Sequence, residues 1–160
     1  MPVCNLSELP ALLKPGQCLL GVDPGSKVIG VAISDPGLRV ASPLTQIARN
    51  KFADDAAALA VIIRERNIGG LIVGLPKNMD GGEGPAAQSA RALVRNLIER
   101  GNLPVADMPV AFWDERFSTA AVERDLIAAD TSRAKRTAKI DQAAAAYILQ
   151  GALDALRKSN

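Results

Sequence analysis

Histidine is absent from all 160 residues of the chain. Its absence excludes Ser-His-Asp and Cys-His catalysis and every histidine-ligated metal site. Hydrolytic chemistry would then depend on carboxylates, on lysine or on a metal ion held by oxygen atoms, and oxygen ligands favour Mg²⁺ or Mn²⁺ over zinc. The cysteines, Cys4 and Cys18, have no metal-ligand spacing and are compatible with a reducing cytosol.

Aromatic residues and long apolar runs are also scarce. Aromatic side chains make up 3% of the chain, so base stacking is not expected to dominate nucleic-acid recognition. No apolar run reaches the roughly 18 residues of a transmembrane helix, and the first ten residues do not resemble a signal peptide. The formal net charge of +2 is too small to identify a nucleic-acid partner by itself. The hydrophobic content, 48%, is ordinary for a globular domain with a real core.

The hydrophobic pattern predicts three strands followed by alternating helices and strands. The predicted strands are 18–23, 28–34, 38–47, 70–75 and 110–113, and the predicted helices cover about 53–66, 85–100, 118–129 and 139–156. An antiparallel meander followed by parallel strands is expected, since the later strands alternate with helices. We therefore predict an α/β fold: a mixed five-stranded sheet flanked by helices, as a single domain over residues 18–157 after an N-terminal lead-in of residues 1–17.

Acidic residues follow the first and the fifth predicted strands. Asp23 ends the first strand before a Pro-Gly turn, and it either caps that turn or is the first ligand of a site. Asp114 and Glu115 end the fifth strand, at the same sheet edge if the two strands are parallel. Neighbouring side chains point to opposite faces, so the register decides which acid enters the site. The alternative is that Arg116 forms a surface ion pair with one of them.

A further acid, Asp141, leads an otherwise apolar stripe along the last predicted helix. Such an acid is expected to face the sheet, although an acid near a helix N-terminus is also stabilised by the helix dipole. Together with Asp23 and the strand-five acid it forms a set suited to two-metal hydrolysis of a phosphodiester. The candidate catalytic residues are therefore Asp23, Asp114, Glu115 and Asp141.

Groups suited to holding phosphate lie near these acids in the chain. The turn after Asp23 combines backbone N–H groups with a hydroxyl and an ammonium, although an ordinary hairpin turn has the same composition. The glycine-rich loop after the fourth strand and the basic run before Asp141 supply further groups that can bind phosphate. The alternative for the basic run is an ordinary solvated surface. The candidate substrate-binding residues are Gly25, Ser26, Lys27, Lys77, Asn78, Arg116, Ser118, Arg133 and Arg136.

Five segments, in order along most of the chain, carry a family resemblance: 21–26, 30–32, 72–81, 113–119 and 141–145. They resemble the YqgF family, also called RuvX, a group of Holliday-junction-resolvase-like and pre-16S rRNA nuclease proteins. The resemblance implies an RNase H-like fold and a cytoplasmic nuclease that matures the 5′ end of 16S rRNA. It also implies an acidic triad of Asp23, Glu115 and Asp141, which would hold one or two Mg²⁺ or Mn²⁺ ions.

Two positions depart from the related RuvC resolvases. Those proteins carry an acid on the fourth strand, where this chain has Gly74-Leu75-Pro76, and they tend to carry two acids at the last helix, where the earlier position here is Ala138. If the fifth strand lies two strand spacings from the first, their backbones are about 10 Å apart. Glu115 would then have to reach inward across Gly74.

Several alternative functions are compatible with the sequence. One is cleavage of four-way DNA junctions, which resolvases perform as symmetric dimers. Another is a non-catalytic RNA-binding factor of ribosome assembly, in which the acids are structural. An actin-like ATPase is a third, although it needs two such domains. The expected partners are precursor rRNA first and branched DNA second, with ribosomal particles possible and no membrane. A monomer or a homodimer is expected.

Overall fold

The computed structural model describes residues 3–78, 80–101, 103–104, 107–115 and 133–158, with side chains from residue 143 onward in the last range. A 3₁₀ turn (Leu6–Glu8) precedes the short helix α1 (Leu9–Leu12). The strands are β1 (Cys18–Pro24), β2 (Val28–Ser34), β3 (Ala41–Ala48), β4 (Ile68–Leu75) and β5 (Val110–Asp114). The longer helices are α2 (Phe52–Glu65), α3 (Pro85–Arg100) and α4 (Arg133–Lys158).

The sheet has five strands in the order β3-β2-β1-β4-β5. The pairs β1–β2 and β2–β3 are antiparallel, whereas β1–β4 and β4–β5 are parallel. The predicted mixed sheet is confirmed, and β5 lies two strands away from β1. The helix predicted over 118–129 lies outside the described residues.

Two hydrophobic clusters cover the two faces of the sheet. Along β1, Leu20 and Val22 pack into the cluster that includes α2 and α3, whereas Leu19 packs into the cluster that includes α4. This alternation follows the pleat of the strand. Every residue of β4 is buried, as predicted for a strand covered on both faces.

Helix α4 approaches the sheet closely at a glycine. A Cβ atom added to Gly21 would lie 2.8 Å from the Leu149 Cβ and 3.0 Å from the Ala145 carbonyl oxygen. On α4 itself, a Cβ added to Gly151 would lie 3.0 Å from the Trp113 ring. Small residues on both elements therefore determine how deeply α4 sits on the sheet.

A hydrogen-bonded clamp joins α4 to the start of β3. The Gln150 side-chain oxygen accepts a bond from the Ala41 N–H (2.8 Å), and its amide nitrogen donates to the Arg39 carbonyl (2.9 Å). The α4 helix is thus attached to the β3 edge as well as to β1.

Strand β3 begins at Ala41, later than the predicted residue 38. The Asp35 carboxylate accepts bonds from the Arg39 and Val40 N–H groups (2.7 and 2.9 Å), which keeps the preceding residues in a turn. The expected irregularity near Pro43 is present, because the β2–β3 register shifts beside it. Helix α4 begins at Arg133, earlier than the predicted residue 139.

The N-terminal lead-in packs against the sheet. Leu9 is fully buried in the cluster beneath α4, and the Cys4 N–H donates to the Val110 carbonyl of β5 (2.9 Å). The domain boundary at residue 17 stays a prediction. In the portion of the chain that the structure covers, no helix has the length and apolar character needed to cross a membrane.

Candidate active site

The strand pleat places Asp23 and Glu115 on the same face of the sheet. On β1, Asp23 follows Leu19 at an even spacing, and Leu19 packs beneath α4. On the β5 side, Glu115 follows Trp113, which also packs beneath α4. Asp114 falls between them, and alternation directs it to the opposite face. Of the two acids, Glu115 is therefore the one that lies on the face of Asp23, and its catalytic role stays a prediction.

Glu115 reaches Asp23 across Gly74 of β4. A Cβ atom added to Gly74 would overlap the Glu115 carboxylate, lying 3.1 Å from its Cδ and 2.6 Å from the Ile148 Cδ1. The Glu115 N–H donates to the Leu75 carbonyl (3.2 Å), which continues the β4–β5 ladder past the end of the strand. A glycine at position 74 is thus required for the Glu115 carboxylate to lie inward.

The two acids share a hydrogen bond, which the protonated Glu115 carboxyl donates to Asp23. Burial, the nearby charge of Asp23, this hydrogen bond and the charge of Asp114 raise the pKa of Glu115 from 4.5 to about 8. The buried Glu115 Oε1 has no hydrogen-bond partner within the described part of the chain. The pair is therefore a site where a positive charge, either a shared proton or a cation, is electrostatically favoured.

The Gly25–Lys27 turn lies beside Asp23, as its sequence position predicts. The Gly25 N–H donates to the Asp23 carbonyl (2.9 Å). An open groove of about 390 Å³ runs along this turn. Its lining residues are Asp23, Gly25, Ser26, Lys27, Val28, Gly30 and Gln46. The predicted phosphate-handling turn and the first acid thus border one cavity.

Arg49, at the end of β3, braces this turn. Its guanidinium donates to the Gly25 carbonyl (3.0 Å), and its backbone N–H donates to the Lys27 carbonyl (2.9 Å). The same guanidinium lies 3.9 Å from the carboxylate of Asp55, a buried residue of α2. Sequence reasoning missed both Arg49 and Gln46, because only the pairing of β3 with β2 brings them to the turn.

Lys77 and Asn78 lie in the loop that follows β4, the strand between the two acids. This loop carries internal bonds: the Asn78 N–H donates to the Gly82 carbonyl (2.8 Å), and the Gly81 N–H donates to the Asn78 carbonyl (2.9 Å).

A paired arginine attaches the same loop to α3. Arg91 donates two bonds to Glu83 (2.6 and 2.8 Å), and it lowers the pKa of that carboxyl. The loop thus contains an internal hydrogen-bonded turn and is joined to α3 by an ion pair.

Several predicted site residues are outside what the structure describes. Arg116 and Ser118 lie in the undescribed range 116–132, and the side chains of Arg133, Arg136 and Asp141 are not described either. The backbone places Asp141 on α4, one helical turn before Ala145, the residue whose carbonyl lies over Gly21. Among the side chains that are described, no three His, Cys, Asp or Glu residues form a metal-binding group.

The strand order β3-β2-β1-β4-β5, with Asp23 near the end of the central strand β1, defines the class of protein as one with an RNase H-like fold. Thermus thermophilus RuvC, solved in complex with a Holliday junction substrate, matches with a TM-score of 0.55 at 13% identity, over 89% of this chain and 97% of that one. A family model described as "RuvX: Holliday junction resolvase" matches residues 17–155. The chain belongs to the RuvX family, whose members are nucleases acting on phosphodiester bonds.

Close relatives carry a more specific name. A protein of Chelativorans sp. (strain BNC1), named "Putative pre-16S rRNA nuclease", is 55% identical over 98% of this chain and 95% of its own length. A protein of Rhodospirillum centenum with the same name is 52% identical over 100% of this chain and 85% of its own length. The family resemblance and the RNase H-like fold predicted from the sequence are both confirmed.

Proposed function

We propose that this protein is a metal-dependent nuclease that processes the 5′ end of precursor 16S rRNA in the cytoplasm. The observation that carries the proposal is the contact between Glu115 and Asp23 across Gly74. Two half-buried acids in contact raise the free energy of the folded chain unless a proton or cation lies between them. The choice of precursor 16S rRNA as the substrate is supported by the name that the relatives carry.

The donor set fits a divalent cation. The buried Glu115 Oε1 lacks a partner among the described residues, and a hard cation takes carboxylate oxygens as ligands. We assign the ligand roles to Asp23, Glu115 and Asp141, and the ion to Mg²⁺ or Mn²⁺. When bound, the ion would lower the pKa of a coordinated water and offset negative charge on the phosphate.

The side chains around the acids would hold the substrate backbone. Ser26 and Lys27 border the groove beside Asp23 and offer a hydroxyl and an ammonium to phosphate oxygens. Lys77 and Asn78 occupy the loop after β4, and Arg116, Ser118, Arg133 and Arg136 belong to the basic segments that follow β5 in the chain. This distribution suits a strand that crosses the carboxyl ends of β1 and β4.

A non-catalytic role in ribosome assembly explains less of the structure. A purely structural acid at position 115 would be expected to face solvent or a basic partner. Instead the carboxyl lies beside a second carboxyl, with its pKa raised to about 8. Glycine at position 74 provides the space for this contact.

The decisive substitution is Asp23→Asn, assayed on a precursor 16S rRNA fragment in Mg²⁺. The variant is expected to lose cleavage while it retains its fold and its affinity for RNA. Asp54→Asn, an exposed acid on α2, is the matched control and should cleave normally. Unchanged cleavage by pure Asp23→Asn protein would refute the nuclease assignment of this site. Preferential cleavage of a four-way DNA junction would instead favour the resolvase alternative.

A further inference from the structure

The groove beside Asp23 extends away from Glu115, toward strands β2 and β3. Its volume of about 390 Å³ falls within the range of about 300–1,000 Å³ that is typical of ligand sites. A space of this size accommodates a group on the scale of one nucleotide. Asp23 lies at one end of it and Ser26 and Lys27 line one side, so the part of the groove toward Gln46 has no role in the site described so far.

Strand register aligns Asp23, Gly30 and Gln46 across the sheet. Asp23 pairs with Gly30 of β2, and Gly30 pairs with Gln46 of β3. Paired residues of antiparallel strands point to the same face, so the Gln46 side chain leaves the sheet on the face that carries Asp23. Gly30 has no side chain, which leaves the floor between the two open. With strands about 4.8 Å apart, the Asp23 and Gln46 backbones are separated by about 10 Å.

Hydrogen bonds and an ion pair hold the wall of the groove in place. Ser26 and Lys27 form it, and the Arg49 guanidinium holds the turn through the Gly25 carbonyl (3.0 Å). Arg49 is in turn paired with the buried Asp55. A binding surface that is ordered before the ligand arrives loses less conformational entropy on binding.

We propose that this groove binds the nucleotide next to the phosphate that is cleaved, with Ser26 and Lys27 on its phosphate and Gln46 on its sugar or base. This inference rests on the proposed nuclease function. The Gln46 amide offers both a donor and an acceptor, as recognition of a sugar hydroxyl or a base edge requires. Gln46 is thus a substrate-binding residue that none of the sequence motifs indicated.

The test compares Gln46→Ala with Thr45→Ala. Both residues are exposed on β3, but Thr45 pairs with Val31, whose side chain belongs to the opposite core. Binding of a short fluorescent single-stranded RNA is measured by anisotropy with EDTA present, so that metal-dependent cleavage is blocked. The affinity of Gln46→Ala is expected to fall about two- to tenfold, the range of one lost hydrogen bond. Thr45→Ala should bind like the wild type.

Equal affinities of Gln46→Ala and wild type would overturn the inference, and so would an equal loss in Thr45→Ala. Absence of measurable binding of both the RNA and the matching single-stranded DNA by the wild type would overturn it as well. Cleavage of precursor rRNA by the wild type is measured separately in Mg²⁺. A Gln46→Ala variant that binds and cleaves normally would therefore remove the subsite and leave the nuclease proposal standing.

Discussion

The carboxyl groups of Asp23 and Glu115 share a hydrogen bond although their strands are not neighbours in the sheet. Strand β4 lies between them, and Gly74 is the residue that allows the contact. The absence of a side chain at position 74 therefore determines whether the Glu115 carboxyl can approach Asp23.

Gly74→Ala is expected to abolish cleavage at a moderate cost in stability. The added methyl group would overlap the Glu115 carboxylate and the Ile148 side chain, and overpacking of this kind costs about 1–3 kcal/mol. Relief of the overlap requires Glu115 to move away from Asp23. The measurements are the urea midpoint and the rate of precursor cleavage.

Gly70→Ala is the control for this substitution. Gly70 lies on the same strand and face, and its added Cβ would lie 3.0 Å from the Leu19 Cδ2, remote from the acids. It should lower stability and retain cleavage. Equal loss of cleavage in both variants would contradict a specific role for Gly74.

Glu115 is expected to make the metal-free protein less stable as the pH rises. Its pKa is about 8 in the folded protein and 4.5 ordinarily. Between pH 4.5 and pH 8 the folded state therefore keeps the Glu115 proton that the unfolded state has lost. The free energy of unfolding should then fall with a slope of at most about 1.4 kcal/mol per pH unit across this window, and level off above it.

Glu115→Gln should flatten that dependence, because its amide does not titrate. The comparison is chemical denaturation in EDTA at a series of pH values, with the exposed Glu65→Gln as control. A wild-type curve that stays level from pH 5 to 8 would show that Glu115 does not hold its proton in the folded state.

Divalent metal is expected to stabilise the protein more at pH 8 than at pH 6. A cation and the shared proton compete for the same carboxyl pair, and metal binding releases that proton. An ion present at 100 times its dissociation constant adds about 2.7 kcal/mol to the free energy of unfolding. Thermal melts with and without Mn²⁺ would measure the shift, and Asp23→Asn and Glu115→Gln should each reduce it. An equal shift in these variants would place the ion elsewhere.

The succession of elements along the chain, the mixed sheet and the position of Asp23 in β1 were predictable, because strong hydrophobic patterns and turn signals delimit β1, β2 and β4. The residue pattern alone did not distinguish Glu115 from Asp114, since Asp114 ends β5 and Glu115 follows it. The family resemblance indicated Glu115, and the pleat places Glu115 on the face that carries Asp23. The position of Gln46 beside the Asp23 groove could not be predicted from the sequence either. Its alignment with Gly30 depends on a register that shifts within the β2–β3 pair, beside Pro43.

Arg49 is expected to act as a positioning residue for the turn after Asp23. Its guanidinium bonds the Gly25 carbonyl and faces the Asp55 carboxylate, which is only 4% exposed. Arg49→Ala removes both interactions, and it should cost about 1–3 kcal/mol in stability and weaken RNA binding. Asp55→Asn separates the two effects, because it removes the ion pair and leaves the arginine bond to the turn. That variant should lose stability yet keep wild-type affinity for RNA after correction for the unfolded fraction. If the affinity of Arg49→Ala is also unchanged, the turn holds its conformation without the arginine, and Arg49 serves stability alone.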